Sequence, residues 1–577
     1  MAKIALIGLG PHSKRIYLNY FKKYNSQFLL LVELESNKVF AREYLDKNGF
    51  TKTCVVTIPD QYKDNMAMPK QYENALLRIC QSLKISHIII STEPKAHNMY
   101  LSFALRNNIH VLSDKPIVVT KHMTSLTSIN KIREQYYSLL KLSEKSSANC
   151  TIMCQRKFHK GYEYILDLLE KTVKKYQIPI TYIQIDHCDG NWEMPHDLLK
   201  ENHPYKFGYG KLYHSGYHFI DLLSDILKIN LQLSKSKRIY KGEVVADCFT
   251  PHDEIAVCNI DDYKRIFCNQ NIPEYYYHTQ DIKFKKFGEK NFYGLFRFRN
   301  RYNQTITTAN LNLLHYGFSR RAWIETRDFY KFNGRIRHEH IDIQVGPLMN
   351  IKVHSYQSKE IKDRLNNIHD EEKSGGLEHF DIEIFRNSDL IGGKPYEKIT
   401  LGDLYMAKEK ENILGFNELA REKLLTSFLN NKVDKSNLKT HILGIEMLYS
   451  CTRQVRNYYK KIIKPEKINF LHLYNYIDIS VLKKFKQANI SLEDKKTIRS
   501  YTIDRENYEF GARINYMTVK KSYEVYVYIA QENNIASGLL YKEVHNKATA
   551  FLYYFYFVFV LNYRSFTGIV RLIERKS

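Results

Sequence analysis

Residues 4–7 form an unbroken apolar run, Ile-Ala-Leu-Ile. After Gly10 the pattern changes to a helical period, with Ile16, Tyr17, Tyr20 and Phe21 on one face. This predicts a buried strand, a tight turn and an amphipathic helix. The theme recurs: QFLLLVELE (27–35) reads as a second strand, SHIIIST (86–92) as a third, NMYLSFALRNN (98–108) as a helix and IHVLSDKP (109–116) as a fourth strand. Buried strands alternating with helices predict a doubly wound α/β sheet. Beyond residue 123 the pattern shifts. NCTIMCQRKFH (149–159) reads as the first strand of a second domain, and YEYILDLLEKTVKKY (162–176) as an amphipathic helix. In IPITYIQIDHCDGNW (178–192), Ile183 and Ile185 alternate with Gln184 and Asp186, which predicts a half-exposed strand. Such strands belong to an open, largely antiparallel sheet covered by helices. Residues 322–357 continue the alternation; there His338 and His340 share one side of a strand and read as exposed strand histidines. KSGGLEHFDIEIF (373–385) reads as a loop hinged at Gly375-Gly376, and LAREKLLTSFLN (419–430) and LKTHILGIEMLYSCTRQVRNYY (438–459) read as closing helices. After Lys464-Pro465, the segments 511–533 and 548–575 alternate aromatic and β-branched residues, predicting a small α+β extension with antiparallel strands. The expected domains are 1–122, 123–463 and 464–577.

Composition narrows the class. The chain has 577 residues, 44% hydrophobic and 26% charged, which is globular and not disordered. Its net charge of +25 is spread along the chain and mixed with carboxylates, as in IKFKKFGEK. That predicts a solvated basic surface and neither nucleic acid nor a membrane as partner, while favouring an anionic small molecule. Nine cysteines without a CxxC indicate neither a disulfide framework nor a zinc ribbon, so reduced thiols and a cytoplasmic location are expected. MAKIALIGLG lacks the h-region and cleavage site of a signal peptide. The most apolar window, FLYYFYFVFVL (551–561), is too short for a helical span; it reads as a buried strand or, alternatively, a membrane-surface patch.

The turn between the first strand and helix carries Gly8, Gly10 and Ser13. Gly8 permits the tight turn, Gly10 allows backbone to approach a pyrophosphate, and Ser13 stands where a third small residue packs helix on strand. The helix N-terminus offers N–H groups to phosphates. Glu33 stands where a carboxylate bonds the adenosine ribose or, alternatively, caps a strand end. It favours NAD over NADP, with Lys38 and Arg42 nearby keeping NADP possible. Thr92, Pro94, His97, Asp114 and Lys115 fall beyond strand C-termini, where such sheets bind ligands.

The string STEPKAHNMYLSFALRNNIHVLSDKPIVVT (91–120) resembles the glucose–fructose oxidoreductase / inositol dehydrogenase / rhizopine catabolism (Gfo/Idh/MocA) family. The elements are Thr92-Glu93-Pro94, His97, His110-Val111 and Asp114-Lys115-Pro116, with Asp114 in place of the family's Glu. The resemblance covers roughly residues 1–455. It implies an NAD(P)-dependent oxidoreductase acting on a hydroxyl or carbonyl of a sugar, cyclitol or nucleotide-linked sugar, and a homo-oligomer. It also implies that Lys115 bonds the reacting oxygen, and that Gln155 with Arg156 or Lys157 lies near the cofactor.

In GKLYHSGYHFIDLL (210–223), the resemblance aligns His218 with the family's acid/base histidine and His214 with its Asp. Helical spacing would stack both on one face, with Gly216 letting a ligand come close. An imidazole exchanges protons near neutrality, so His218 is the expected acid/base. His214 lacks a fixed negative charge and is expected to hold a substrate hydroxyl or an acidic group. Zinc binding by HxxxH and plain helix packing remain the other readings of the pair. A dinucleotide-binding sensor without turnover, and a scaffold acting through residues 465–577, are the rival functions.

Overall fold

The first apolar run becomes strand β1 (Ile4–Ile7), buried at all four positions. Gly10 ends the turn and Pro11 opens helix α1, which runs through Pro11–Ser13, a π-helical turn Lys14–Leu18 and Asn19–Lys23. In this computed structural model the described residues are 2–119, 122, 125–191, 193–199, 205–234, 236–268, 273–277, 284, 286–316, 337–356, 379–405, 416–432 and 435–470, with the backbone of strands between 495 and 544. The chain divides into two units, Met1–Tyr474 and Asn475–Ser577.

The first unit begins with β1, β2 (Leu30–Leu34), β3 (Cys54–Ile58), β4 (His87–Ile90), β5 (His110–Ser113) and β6 (Cys150–Ile152). They form one parallel sheet in the order β3-β2-β1-β4-β5-β6, the order of a Rossmann fold. Two details differ from expectation. Cys54–Ile58 is an additional strand, so the strands at 86–92 and 109–116 are the fourth and fifth. Its signal is the β-branched run Val55-Val56-Thr57-Ile58, weakened because an edge strand shows no deeply buried face. The strand at 150 was assigned to the second domain, yet Val111, Leu112 and Ser113 pair with Cys150, Thr151 and Ile152, so it closes the parallel sheet. The Rossmann layer therefore extends past the expected boundary at 122.

The second sheet has nine strands. They are β7 (Ile180–Asn191), β8 (Lys241–Phe249), β9 (Asn291–Arg299), β10 (Thr305–Tyr316), β11 (His338–Val345), β12 (Met349–Tyr356), β13 (His379–Arg386), β14 (Tyr396–Thr400) and β15 (Glu466–Ile468). Their order is β14-β13-β12-β11-β7-β10-β9-β8-β15; β7 and β10 pair in parallel and the other neighbours are antiparallel. β15 lies beyond the boundary expected at 464, because Glu466–Ile468 pairs with Gly242–Val244 of β8. Ile183, Ile185, Ile341, Ile343, Ile351 and Val353 are buried on one face while their neighbours are half-exposed, as the alternation predicted. His338 and His340 are half-exposed on the other face. Helices α2 (Lys160–Tyr176), α3 (Tyr217–Asn230), α4 (Phe416–Leu429) and α5 (Ile442–Tyr459) complete the parts that matter for the site.

Helix α4 packs its apolar side on the first sheet's layer. Ala420, Leu424, Leu425 and Phe428 join Ile16, Tyr17, Phe21 and Phe28 in one buried cluster, and Tyr20 Oη meets Thr426 Oγ1 at 2.9 Å. Each such large side chain contributes about 1.5–3 kcal/mol on burial. Ile152 N donates to Ser436 O, and Ser436 Oγ donates to Ile152 O at 2.8 Å, so β6 is tied to the same late segment.

In the second unit, strands β16 (Lys495–Arg505), β17 (Tyr508–Met517), β18 (Ser522–Gln531), β19 (Asn534–Ile535) and β20 (Leu540–Val544) form an antiparallel sheet. The apolar window 551–561, the expected hinge Gly375-Gly376 and the strand region 322–336 lie outside the described residues, while 379–385 of the expected loop belong to β13, paired with β12. Among the described residues no helix is long and apolar enough to cross a membrane.

Candidate active site

The C-terminal ends of β1, β2, β4 and β5 surround a cleft of about 460 Å³ lined by Gly8, Gly10, His12, Glu33, Asn37, Lys63, Asp64, Thr92, Lys95 and Asp114, among others. Gly8 has φ +90°, and a Cβ there would lie 2.6 Å from Ser91 O, so both the turn and the approach of β4 require glycine. Gly10 differs: a Cβ would meet nothing within 4 Å, which leaves open space above the first N–H groups of α1. Ser13 is fully buried and its Oγ donates to Gly10 O at 3.0 Å, so it braces the turn from beneath.

Glu33 closes the other side of the cleft. Its Oε2 accepts from Leu9 N at 2.7 Å and its Oε1 from Leu34 N at 2.9 Å. The carboxylate thus locks the Gly8–Gly10 turn, yet a carboxylate offers about four acceptor sites, leaving capacity for hydroxyls in the cleft. Arg42 turns away: its guanidinium bonds Asp46 and the carbonyls of Phe50, Thr51 and Thr53. Lys63, which lies in a stretch (59–69) without a hydrophobic period, and Lys95, which the motif at 91–97 does not single out, also line the cleft; Lys95 pairs with Asp64 at 2.7 Å.

Asp114 forms part of the lining. Tyr17 Oη donates to its Oδ1 at 2.6 Å, Ser91 Oγ to its Oδ2 at 2.7 Å, and His12 Nε2 lies 3.6 Å away. His97 is buried, with Nδ1 2.8 Å from Pro116 O and Nε2 3.2 Å from Thr92 O. It staples the β4 and β5 loops together and does not line the cleft; nor does Pro94.

Lys115 leaves the sheet toward the second domain, and its Nζ donates to the main-chain carbonyl of His214. Burial pulls its ammonium down to about 8, opposed by the carboxylates of Asp114 and Asp189, while the Arg421 cation adds to the lowering. Arg421 comes from α4, about 300 residues downstream, and nothing in its helical period marked it.

The stretch 210–223 folds differently from expectation. Residues 211–216 form turns, and α3 starts at Tyr217. Gly216 N donates to Lys211 O at 2.9 Å, a wider step than α-helix. A Cβ on Gly216 would lie 2.6 Å from Lys211 O and 2.7 Å from the Leu313 side chain, so this glycine serves the packing of the turn and not ligand approach. His214 and His218 therefore do not stack on one helical face: His214 is exposed and His218 is buried, 7% accessible. Burial holds His218 well below the usual histidine range, and Lys115, Arg156 and Arg421 add to this. Among the described residues no group of three or more His, Cys, Asp or Glu side chains is arranged to hold a metal ion.

Beneath the turn lies a charged network. Lys211, fully buried, bonds Asp189 Oδ2, and Ser215 Oγ reaches the same oxygen at 2.7 Å. Burial alone would raise the Asp189 carboxyl, but Lys211 together with His187 and His315 outweighs it and holds the group well below the usual carboxylate range. His187 Nε2 sits 3.2 Å from Asp189 Oδ1, and its ring stacks on Phe219 of α3 at 4.2 Å. Arg156 grips Glu339 with both Nη atoms, one at 2.7 Å, and Tyr162 Oη joins at 2.6 Å. Arg156 therefore supports the second domain's interior; neither it nor Gln155, also buried, lines the cleft. Lys157 is buried with Asp221 at 3.2 Å and with Asp225.

No protein-family model matches the chain, and none of the curated proteins does. Among solved structures it is similar to aldose-aldose oxidoreductase from Caulobacter crescentus complexed with glycerol (13% identity, 79% of this chain and 98% of that one, TM-score 0.45). It is also similar to an oxidoreductase from Agrobacterium radiobacter in complex with NAD+, L-tartaric acid and magnesium (9%, 81% and 98%, 0.47). A third is the WlbA dehydrogenase from Bordetella pertussis in complex with NADH and UDP-GlcNAcA (10%, 81% and 98%, 0.43). The Rossmann order and the nine-stranded sheet stand on this chain's own strand pairing.

Proposed function

We propose that the chain is an NAD(P)-dependent oxidoreductase of the Gfo/Idh/MocA type that interconverts a hydroxyl and a carbonyl on a sugar, cyclitol or nucleotide-linked sugar. The observation that carries the reading is the bond from Lys115 to the carbonyl of His214. It joins the end of a dinucleotide-type strand to the turn that presents His218. The residues fit a dinucleotide: open space above Gly10 at a helix N-terminus suits a pyrophosphate, and Glu33 with spare acceptor capacity suits a ribose. Glu33 beside Arg42, which is committed elsewhere, favours NAD over NADP.

A bound nicotinamide supplies the hydride acceptor or donor. In this reading Lys115 donates to the reacting oxygen and stabilises it as it becomes alkoxide-like. His218, neutral at working pH, accepts the hydroxyl proton in oxidation and returns it in reduction. The Lys115 cation and the basic surface of the chain support an anionic substrate.

The test is direct. Purified protein is titrated with NADH and NADPH by fluorescence, and sugar phosphates and nucleotide sugars are screened at the reduced-nicotinamide absorbance band. Turnover that collapses in Lys115→Ala and His218→Ala is expected. No dinucleotide binding at millimolar concentration sinks the proposal; binding without turnover on any substrate points to a sensor instead.

A further inference from the structure

Asp221 follows His218 by three positions on α3, yet a cysteine stands between the two side chains. Cys154, just after β6, is fully buried, with Sγ 3.4 Å from His218 Nδ1 and 3.1 Å from Asp221 Oδ2. The carboxylate of Asp221 is further held by Lys157 Nζ at 3.2 Å on Oδ2 and His441 Nδ1 at 2.9 Å on Oδ1. Burial alone would raise this carboxyl, but Lys157 and His441 outweigh it and keep it ionised, so it can only accept.

The placement of protons follows. The thiol has one hydrogen and two neighbours that could take it. A bond to an ionised acceptor is roughly twice as strong as one between neutral groups, so the S–H points at Asp221 Oδ2. Sulfur then turns its lone pairs toward His218 Nδ1. A neutral imidazole carries a single N–H, and the nitrogen that faces an acceptor is the one that carries it. Nε2 is left bare.

We propose that Cys154 is a positioning residue that sets His218 as the Nδ1–H tautomer, presents Nε2 as the proton acceptor, and passes the negative charge of Asp221 to the imidazole through its S–H. In the oxidation direction the substrate O–H bond breaks, its electron pair stays on oxygen, and a new Nε2–H bond forms. Nδ1 keeps its hydrogen and sulfur keeps its own, so the thiol orients and polarises without changing protonation. This role rests on the oxidoreductase reading above.

The closing experiment is built so that the two ideas fail separately. Ring-nitrogen shifts of ¹⁵N-histidine-labelled full-length protein, with the His218 signals identified by their loss in His218→Gln, report the tautomer without cofactor or substrate. A protonated Nδ1 and an unprotonated Nε2 are expected. Cys154→Ser, which keeps a donor and an acceptor, retains this pattern, and Cys154→Ala gives a mixture. With a substrate in hand, Cys154→Ala lowers kcat roughly 10- to 100-fold at nearly unchanged KM, a part of the 10²–10⁴ that the positioned acid/base as a whole contributes, and Cys154→Ser restores most of it. A wild-type His218 protonated at Nε2 overturns the assignment whatever the activity, and the wild-type spectrum decides this even if a variant misfolds. Shifts that are identical in wild type and Cys154→Ala overturn the role of the thiol. The Nδ1–H tautomer in a protein that transfers no hydride removes the oxidoreductase reading, and with it the catalytic role, while leaving the tautomer assignment intact.

Discussion

Glu33 offers a prediction whose size follows from its hydrogen bonds. It accepts from Leu9 N at 2.7 Å and Leu34 N at 2.9 Å at the mouth of the cleft, so its charge stands where the adenosine ribose is expected. Hydrogen bonds to a charged partner are worth about 1.5–3 kcal/mol, so Glu33→Ala should weaken NADH binding roughly 10- to 150-fold. A 2′-phosphate about 4 Å from the carboxylate would be repelled by about 4 kcal/mol in a surface-like dielectric, and by less once salt screens it. The wild type should therefore prefer NADH over NADPH by at least about tenfold. Glu33→Gln keeps an acceptor oxygen for the turn and loses only the charge. It should cost less NADH affinity than Glu33→Ala while bringing the two cofactors within about threefold of each other. Titration calorimetry with both reduced cofactors, at low and at 0.15 M salt, measures all of this. Equal affinity of the wild type for NADH and NADPH, or NADH affinity within about twofold of wild type in Glu33→Ala, would refute the role given to this carboxylate.

Other predictions concern the turn, the lysine and the buried pair. Gly8→Ala forces a Cβ to 2.6 Å from Ser91 O at φ +90° and should lower the unfolding free energy by about 2 kcal/mol or more in urea. Gly10→Ala, whose Cβ meets nothing within 4 Å, should stay within about 0.5 kcal/mol of wild type yet bind NADH more weakly, because the methyl fills the open space. With the Lys115 ammonium at about 8 and acting in its charged form, kcat should fall about tenfold between pH 7 and pH 9; Lys115→Arg should remove that decline, and a rate that rises through pH 8 would show that the neutral amine is the working form. Glu339→Gln breaks a buried bidentate pair with Arg156 and should cost about 3–5 kcal/mol of stability. Burial would raise the Glu339 carboxyl, but Arg156 outweighs it and holds the group far below its unfolded value. The stabilisation is thus fully present above the unfolded value and is lost only as pH falls through the lower folded one. The variant's deficit in urea should accordingly stay constant from pH 5 to 8; a deficit that varies across this window would contradict the pairing.

The parallel sheet was readable because its strands are unbroken apolar runs punctuated by Gly8-Leu9-Gly10 and by Asp114-Lys115-Pro116. Such runs have one stable environment, the interior of an α/β layer. β3 escaped because an edge strand needs no buried face, and β6 was placed in the wrong domain because three residues carry no record of their neighbour. His218 could be singled out by its motif, whereas the helical stacking of His214 with it could not survive Gly216, whose packing against Lys211 O widens the turn. Three residues packed around Lys115 and His218, namely Cys154, Asp189 and Arg421, lie on β6's exit, on β7 and on α4. Nothing local distinguishes them, since their meaning arises only when separate segments meet.

The shared core of α1 and α4 has a consequence for how the protein is made. Tyr20 and its partner Thr426 are separated by 406 positions. At about 5–20 residues per second, a ribosome needs roughly 20–80 s to synthesise that interval. During that time Ile16, Tyr17 and Phe21 lack the side chains of α4 that later cover them. The parallel layer is therefore translated well before the helix that completes it, and the nascent chain carries an apolar face that a holding chaperone would recognise until α4 emerges.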